Sequence, residues 1–592
     1  MTRKKCLAIG SLFFVSLLQA QDHEDIVMRA MKDELARSMA QLQLPNMEKP
    51  YFLAYRIQDI VEEEISATLG SLTSPSGPAS RHRMISVELR VGDYSLDNTN
   101  FVSLRRLSGG PTGALGGIVA QGSLDDNYGQ IRRELWLATD TQYKRALEDL
   151  SAKRAALKGR TGGENVPDFS KEPAIQLAAG SAAVARDFQQ LEATARDTSV
   201  VFRATPDIDR SGVTIRYTSV YTRYLNSEGT SFTRSDPLIE VEVSARTHAA
   251  DGLPIADSFR VLTRNPADLP TREALRARAQ QMSALILKLR SAPSVDRYNG
   301  PVLFEGAAAS EIFLQQFGSR LAAARTPISD NSQFEMMFSQ MFDRGPSLQD
   351  KMGARILPDF ISVEDNPSQA SFHEISLLGT SPVDDDGVKT RETILVERGV
   401  LKNLLASRVP VRGILQSTGS RHGWGAVPSN IFLTSTKTMP ADALKQELLR
   451  RAKERGLDYA IVVRRVGTGS ESSVVNIMRQ MASGQTSSPS LAEVYKLYSD
   501  GHEEPLEGVR ITDLSAEAFK EIVATGDTPV LYNDQLSPRM NSIFSIGFSF
   551  GAEGLPVVSC VSPSLLFEEV TLAKSEGPFP AAPVSPSPLA VR

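Results

Sequence analysis

The chain has 592 residues, with 65 Lys and Arg against 70 Asp and Glu and a formal net charge of −5. Its 41% hydrophobic and 23% charged residues are typical of globular proteins, and the length predicts more than one folded unit. No block of Lys or Arg stands out, which argues against a nucleic-acid surface that neutralises phosphates. Two cysteines exclude a disulfide scaffold and any cysteine-rich metal module.

The first 20 residues have the pattern of a secretory signal peptide. Basic residues at 3–5 precede an apolar run at 7–18, and Ala20 provides a small residue where the sequence turns polar. The apolar run is well short of the roughly 20 residues that span a bilayer. We therefore expect residues 1–20 to be removed and the mature protein to be secreted or periplasmic, with no stable membrane span. The alternative is a buried N-terminal helix.

Residues 22–292 are predicted to form an N-terminal α/β domain. Apolar residues recur there at helical spacing in some stretches and alternate with polar residues in others. A helix that Pro270 opens follows the β-rich block and marks the boundary to a second domain. The predicted elements are helices over 22–42, 139–157 and 270–292, strands within 50–91, a hairpin over 213–243 and a loop over 159–173.

Residues 298–576 are predicted to form a second, mainly antiparallel-β domain, so the fold class is α+β. Short turns between β-rich runs favour antiparallel pairing. Residues 577–592 contain five prolines and no periodicity, which predicts a disordered tail. The predicted elements are strands over 301–304, 375–378, 393–396, 459–463 and 494–498, and helices over 307–324, 441–455 and 515–523.

Patterns of several common catalytic sites are absent. None of the His-Glu pairs has a second His four or five residues on, which excludes the two-histidine zinc helix. There is no phosphate-binding Gly-x4-Gly-Lys-Ser/Thr loop and no Cys-x-x-Cys motif. The acidic run at 384–387 lacks the remaining ligands of a calcium loop and predicts a solvated acidic turn.

Residues 419–430, GSRHGWGAVPSN, form the most unusual local segment. Its glycines surround Arg421, His422 and Trp424, and loops of this composition often bind ligands. We predict that Arg421 meets a peptide carboxylate or carbonyl, that Asn430 pairs with an amide, and that His422 adds a pH-dependent contact. The alternative is an irregular connection packed by Trp424, in which Arg421 only holds its own loop.

Six segments, in their order and spacing, resemble the TldD/PmbA family of zinc metallopeptidases and their non-catalytic partner subunits. The resemblance implies an α/β N-terminal domain and a mainly β C-terminal domain, assembled as a dimer around an internal cavity that admits peptides. The segments are YTRYLNSEGTSF (221–232), GPVLFEG (300–306), ILPDFISVE (356–364), VDDDGVKTRETILVERGVLKNLLAS (383–407), the loop 419–430, and VYKLYSDGHEEPLEGVRI (494–511).

For active members, the resemblance implies His-Glu-x-x-x-His on the helix after the Gly-Pro-Val strand, and a zinc-binding Cys near the C-terminus. Here Ser310 and Gln315 stand at the histidine positions, and only Glu311 matches the general base. The family Cys is expected near residues 548–550, where there is none, and Cys560 is interpreted as a buried core thiol. The resemblance therefore implies no metal and no other cofactor, with Glu311 as the remainder of a degenerate catalytic site.

The function expected from this resemblance is that of a zinc-less partner subunit in a peptidase pair. It would bind a peptide or unfolded-protein substrate as a homodimer, or as a heterodimer with a zinc-bearing paralogue. Two alternatives are an active metallopeptidase with non-standard metal ligands, for which zinc would be the cofactor, and a stand-alone peptide-binding scaffold. Nucleic acid is not an expected partner.

Overall fold

The protein is represented by a computed structural model, which describes most of the chain between residues 25 and 575. The predicted signal peptide, residues 161–165 of the predicted loop and most of the predicted tail lie outside the described residues. The described ranges are 25–102, 119–160, 166–178, 187–249, 252–333, 335–336, 348–467, 491–536, 538–539, 542, 556–575 and 587–589.

Six α-helices occur in the described ranges, and side-chain caps explain where several of them begin. Asp25 accepts a hydrogen bond from the Met28 backbone N at 3.0 Å, and Asn127 accepts one from the Gln130 backbone N at 2.9 Å. The helices are α1 (Ile26–Gln41), α2 (Tyr128–Lys158), α3 (Phe188–Ser199), α4 (Arg272–Leu289), α5 (Ala307–Phe317) and α6 (Ala441–Glu454).

The N-terminal half is built on one eight-stranded sheet with the order β5-β3-β1-β7-β8-β6, in which β2 pairs with β1 and β9 with β8. All of its pairs are antiparallel except β6 with β8. The strands of this half are β1 (Pro50–Thr68), β2 (Ser71–Ser74), β3 (Ser80–Val91), β4 (Phe101–Val102), β5 (Val119–Gly122), β6 (Gln176–Ala178), β7 (Arg210–Asn226), β8 (Ser231–His248) and β9 (Pro254–Thr263).

The two faces of this sheet have different partners, because side chains alternate along each strand. On β1, Tyr55 and Ile57 pack under α1 and α2, and Ile65 on the same face belongs to the cluster under α3 and α4. The opposite face meets the C-terminal half through both polar residues and an apolar cluster, in which Phe52 and Tyr224 pack with Val383. There, Arg56 donates to the Asp385 carbonyl oxygen at 2.6 Å. An interface of polar and apolar contacts therefore joins the two halves.

The C-terminal half contains two larger sheets. One has the order β20-β25-β28-β10-β21-β22-β23, with β24 on β28, and the other has the order β16-β15-β12-β19-β27-β26. The strands are β10 (Arg297–Phe304), β11 (Ile328–Ser329), β12 (Ile361–Asp365), β13 (Ser371–Phe372), β14 (Ile375–Ser376), β15 (Thr393–Glu397), β16 (Val400–Leu401), β17 (Arg421–His422), β18 (Gly425–Ala426), β19 (Asn430–Ser435), β20 (Thr438–Met439), β21 (Tyr459–Val466), β22 (Leu491–Tyr498), β23 (Glu503–Pro505), β24 (Val509–Asp513), β25 (Ile522–Gly526), β26 (Val530–Gln535), β27 (Val557–Ser562) and β28 (Leu565–Lys574).

Helix α5 is buried between these two sheets. Ile312 and Phe313 of α5 share one core cluster with Phe304 of β10, Ile431 of β19 and Val558 of β27. Helix α6 packs on the other face of the β10-containing sheet, in a separate cluster. The position of α5 is important because this helix carries Glu311.

The predicted α+β class is confirmed, and so is the hairpin, in which β7 and β8 pair along most of their length. Helix α2 begins eleven residues before the predicted start at 139, because the Asn127 cap opens it earlier. The predicted helix at 515–523 is wrong. A short 3-10 helix, Ala516–Glu521, leads there into β25, where Ile522 pairs with Phe567 of β28. The predicted limits of the two domains stay a prediction.

Candidate functional site

Glu311 lies on α5 and is almost fully buried, with 4% of its surface exposed. Its Oε2 accepts a hydrogen bond from the Val466 backbone N at 2.6 Å. Burial raises the pKa of Glu311 to about 8, although the Val466 N–H offsets part of this effect. At neutral pH the carboxyl is therefore mainly protonated and can donate as well as accept. This environment differs from that of an acid on the exposed face of a helix.

The other residues that the resemblance places at the zinc site have different surroundings. Ser310 is fully buried and donates to the Cys560 carbonyl oxygen at 3.4 Å. Gln315, five positions further along α5, is exposed. Cys560 is free and buried on β27, and burial raises the pKa of its thiol to about 12, although a hydrogen bond with Ser310 lowers it in part. The expected position of the family Cys at 548–550 lies outside the described residues.

Zinc does not fit the donors that α5 and β27 present. A hydroxyl and an amide are not normal zinc ligands, and zinc binds the thiolate rather than the neutral thiol that this pKa favours. Among the residues that the structure describes, no group of three or more His, Cys, Asp or Glu side chains is placed to hold a metal ion.

Glu311 lines a cavity of about 940 Å³, which we name the α4–α5 cavity. One side of this space is formed by β9 and α4 of the N-terminal half. The other side is formed by α5, β21, β22 and β26 of the C-terminal half. Its volume is in the range of pockets that bind small organic ligands. Both charged and apolar side chains line it, among them Arg278, Arg465, Phe259 and Met282.

The loop 419–430 forms a tight hairpin of β17 and β18, with Gly423 and Trp424 at the turn. Gly419 opens the segment at φ +73°, where a Cβ would lie 2.5 Å from the Lys389 carbonyl oxygen, so only glycine fits there. The Gly423 backbone N donates to Asp385 Oδ2 at 2.7 Å. The segment is therefore held against the acidic turn 384–387.

Arg421 is 1% exposed and contacts acidic side chains from both halves of the molecule. Its Nη1 binds Asp386 and lies 3.6 Å from Glu88 Oε2, and its backbone N donates to Asp384 Oδ2 at 3.1 Å. Burial alone would lower the pKa of Arg421, but Asp386 and Glu88 raise it above its ordinary value. The peptide-binding role of Arg421 stays a prediction. Its contacts favour the alternative, in which it holds its own loop.

Asn430 is fully buried, and both ends of its amide have partners. Its Oδ1 accepts from the Gly379 N at 2.9 Å, and its Nδ2 donates to the carbonyl oxygens of Asn366 and Gln369 and to Thr380 Oγ1. In the described conformation the amide is covered by protein and has partners at both ends, which leaves a peptide no access to it. The predicted amide contact of Asn430 remains a prediction that would require this network to open.

His422 lines a second, smaller cavity of about 110 Å³ between the first sheet and the β17–β18 hairpin. Burial lowers the pKa of His422 below its ordinary value, although the nearby Asp385 opposes this shift. The neutral imidazole is therefore favoured at neutral pH. The volume fits a few water molecules rather than a peptide segment. The predicted pH-dependent peptide contact of His422 stays a prediction.

The prediction of a solvated acidic turn at 384–387 is wrong. Asp384, Asp385 and Asp386 are each at most 4% exposed. Arg234 donates to Asp385 at 2.7 Å, and the Arg408 backbone N donates to Asp386 at 3.1 Å. Burial alone would raise the pKa of Asp385, but Arg234 lowers it below its ordinary value. The arginines come from distant parts of the chain, so local composition did not reveal them.

Sequence reasoning missed Arg278 and Phe259, which lie together in the wall of the α4–α5 cavity. Arg278 is on the polar stripe of the predicted 270–292 helix, and Phe259 is on β9. The Arg278 guanidinium carbon lies 4.2 Å from the centre of the Phe259 ring. No motif joins these two positions, so only the folded structure shows their contact.

The sequence and structure comparisons with known proteins point to the same class of protein. Residues 297–574 match the family model described as the PmbA/TldA metallopeptidase C-terminal domain. A metalloprotease PmbA homolog of Buchnera aphidicola subsp. Acyrthosiphon pisum is 28% identical over 152 residues, which are 23% of this chain and 33% of that protein. The metalloprotease PmbA of Escherichia coli O157:H7 is 30% identical over 88 residues, or 14% of this chain and 18% of that protein. These alignments therefore span a third or less of the curated relatives.

TldE from Thermococcus kodakarensis has a similar fold, with a TM-score of 0.53 and 12% identity, over 92% of this chain and 100% of that one. The C-terminal match and this fold define a metallopeptidase-like protein. Residues 297–574, just under half of the chain, belong to the TldD/PmbA family. Within the described ranges, no helix combines the length and the apolar character needed to cross a membrane.

Proposed function

We propose that the protein is a zinc-less member of the TldD/PmbA family that binds peptides and acts as the partner subunit of an active peptidase. The observation that carries this proposal is the set of side chains that α5 presents at positions 310, 311 and 315. Glu311 is buried, largely protonated and bonded to the Val466 N–H, while Ser310 and Gln315 stand where the zinc histidines are expected. A single carboxyl on a helix cannot hold zinc and activate water.

The α4–α5 cavity supports the peptide-binding part of the proposal. It borders Glu311 and combines apolar wall residues with polar groups that can pair with a peptide backbone. A protonated Glu311 can donate a hydrogen bond to a carbonyl oxygen, which requires no metal. The bound ligand proposed here is a peptide or a segment of unfolded protein.

Pairing can be tested by measuring the native mass of the full chain, alone and with a paralogue whose α5 carries both histidines. We expect a homodimer alone or a defined heterodimer in the mixture, because the family resemblance implies a dimer around the peptide cavity. A chain that stays monomeric in both samples and still binds peptides would favour the stand-alone scaffold.

Export is part of the same proposal and rests on residues 1–20. We propose that the mature chain begins near Gln21 and is secreted or periplasmic. N-terminal sequencing of native material checks this point. A chain that retains Met1 in the cytoplasm would contradict export without affecting the peptide-binding proposal.

The alternative of an active metallopeptidase is favoured by the retained Glu311 alone. It predicts stoichiometric zinc and chelator-sensitive cleavage that Glu311→Gln abolishes. Glu311 is needed for activity in that case because it would be the general base.

A further inference from the structure

Arg278 differs from the other arginines that line the α4–α5 cavity. Arg260 binds Asp534, Arg464 lies 2.8 Å from both Glu305 and Glu503, and Arg465 binds Asp257. Among the described residues, no carboxylate lies within salt-bridge distance of Arg278. The wall therefore presents one arginine whose positive charge has no direct counter-charge in the described part of the chain.

The contact with Phe259 orients the Arg278 guanidinium. The 4.2 Å distance from the ring centre places the face of the cation over the aromatic ring. A stacked guanidinium still has N–H donors along its edge, and this edge matches the two oxygens of a carboxylate. Stacking on Phe259 therefore fixes the plane of the Arg278 guanidinium and leaves its N–H edge available to a carboxylate.

The electrostatic environment of Arg278 favours an anionic ligand. Partial desolvation in the cavity wall, and then the nearby positive charge of Arg465, lower the pKa of Arg278 below its ordinary value, although the charges of Glu311 and Asp257 oppose this shift. A carboxylate beside Arg278 would offset this repulsion. Glu311, which also lines the cavity, repels such an anion little near pH 7, because its raised pKa keeps it mainly protonated.

Two buried atoms in the same wall have no hydrogen-bond partner among the described residues. They are Asp257 Oδ2, an acceptor, and Arg465 Nε, a donor. Both atoms are covered by the surrounding protein, so the N–H and C=O groups of a peptide backbone would reach them only if the Asp257–Arg465 pair shifts. Phe259 and Met282 provide apolar surface in the same cavity. The wall therefore offers complements to a carboxylate and to an apolar side chain.

We propose that Arg278 binds a ligand carboxylate in the α4–α5 cavity, and that the ligand is a short peptide held by its free C-terminus. This inference rests on the proposed peptide-binding function and adds the part of the peptide that is recognised. An aspartate or glutamate side chain within a peptide offers the same carboxylate chemistry, so the experiment separates the two sources.

The test measures the dissociation constants of N-terminally labelled short peptides, as free acids and as C-terminal amides, by fluorescence anisotropy on the full chain. We expect the free acid to bind at least about tenfold more tightly, since a hydrogen bond to a charged group is typically worth that much. Arg278→Ala should remove this preference, and Arg278→Lys should restore only part of it because lysine lacks the planar fork. Arg276→Ala, an exposed change two positions earlier on α4, is the matched control and should retain the preference.

Equal binding of acid and amide by the wild-type protein would overturn the inference and leave peptide binding intact. A preference that survives Arg278→Ala would overturn it as well. Amidated peptides with an internal aspartate that bind as tightly as free acids would assign the carboxylate to a side chain and overturn the C-terminal source. Failure of every peptide to bind would overturn the inference, while native mass and zinc content judge the partner-subunit proposal separately.

Discussion

Arg421 and Arg278 are two arginines with opposite environments. Arg421 is buried between the halves and contacts Asp386 and Glu88. Arg278 is exposed to the α4–α5 cavity and stacks on Phe259, with no carboxylate in salt-bridge distance among the described residues. The comparison indicates that the glycine-rich hairpin stabilises the contact between the halves, whereas the proposed anion site lies in the cavity wall.

Other polar groups around the hairpin are paired in the same way as Arg421. Arg408 donates to Glu228 at 2.6 Å, and Arg56 donates to the Asp385 carbonyl oxygen at 2.6 Å, so donors and acceptors from both halves meet at the interface. Buried charges of this kind must be paired, because removing one partner leaves the other uncompensated. The region that looked most like a binding loop is thus the more constrained one.

The largest loss of stability is expected for Arg421→Ala. Removing one partner of a buried ion pair typically costs about 3–5 kcal/mol, and here Asp386 would lose its ion-pair partner while Arg90 still pairs with Glu88. The melting temperature and the urea midpoint of the full chain should both fall, while peptide affinity measured well below the melting temperature should change little. Arg412→Ala, an exposed change in the same half, is the control. An unchanged melting temperature together with at least tenfold weaker peptide binding would instead support the peptide-contact role.

A smaller, pH-dependent change in stability is expected for Glu311→Gln. The folded pKa of about 8 lies above the ordinary value of 4.5, so the folded state keeps a proton that the unfolded state has released. Wild-type stability should therefore fall as pH rises from about 4.5 through 8, by roughly 3 kcal/mol up to pH 7. Glutamine keeps an acceptor for Val466 and should lack this contribution.

The measurement is the difference in urea midpoint between Glu311→Gln and wild type at pH 5 and pH 7.5. The variant should gain in relative stability at the higher pH. The exposed change Glu397→Gln serves as the control and should show no comparable gain. A difference that does not depend on pH would show that Glu311 is ionised in the folded protein, contrary to this account.

The smallest stability effect is expected for Arg278→Ala. This exposed side chain has no salt-bridge partner among the described residues, and surface substitutions of this kind usually change stability by less than about 0.5 kcal/mol. Its melting temperature should therefore remain close to that of Arg276→Ala. A drop as large as that of Arg421→Ala would show that Arg278 has a structural role and would remove the contrast between the two regions.

Much of the fold could be predicted because it depends on local patterns. The alternation at 213–217 and 239–243 predicted β7 and β8, and the apolar stripe after Pro270 predicted α4. The order of six segments then indicated the family. Helix α3 was not predicted from its pattern, and the 515–523 helix was wrong because pairing of β25 with β28 overrides local preference.

The candidate site could be predicted only in part, because its residues meet through tertiary contacts. Glu311 was found through its place in a family motif. Its burial depends on two sheets that enclose α5, and the burial of the acidic turn depends on arginines far away in the chain. The pairing of Arg278 with Phe259 joins α4 to β9, and neither position has a local signal.

The zinc content of the purified full chain, after incubation with zinc and removal of the excess, tests the central claim most directly. We expect far less than one bound zinc per chain, because Ser310, Gln315 and the protonated Cys560 thiol do not provide a zinc site. We also expect that a chelator leaves peptide affinity unchanged. One zinc per chain, with peptide cleavage that the chelator and Glu311→Gln both abolish, would contradict the account.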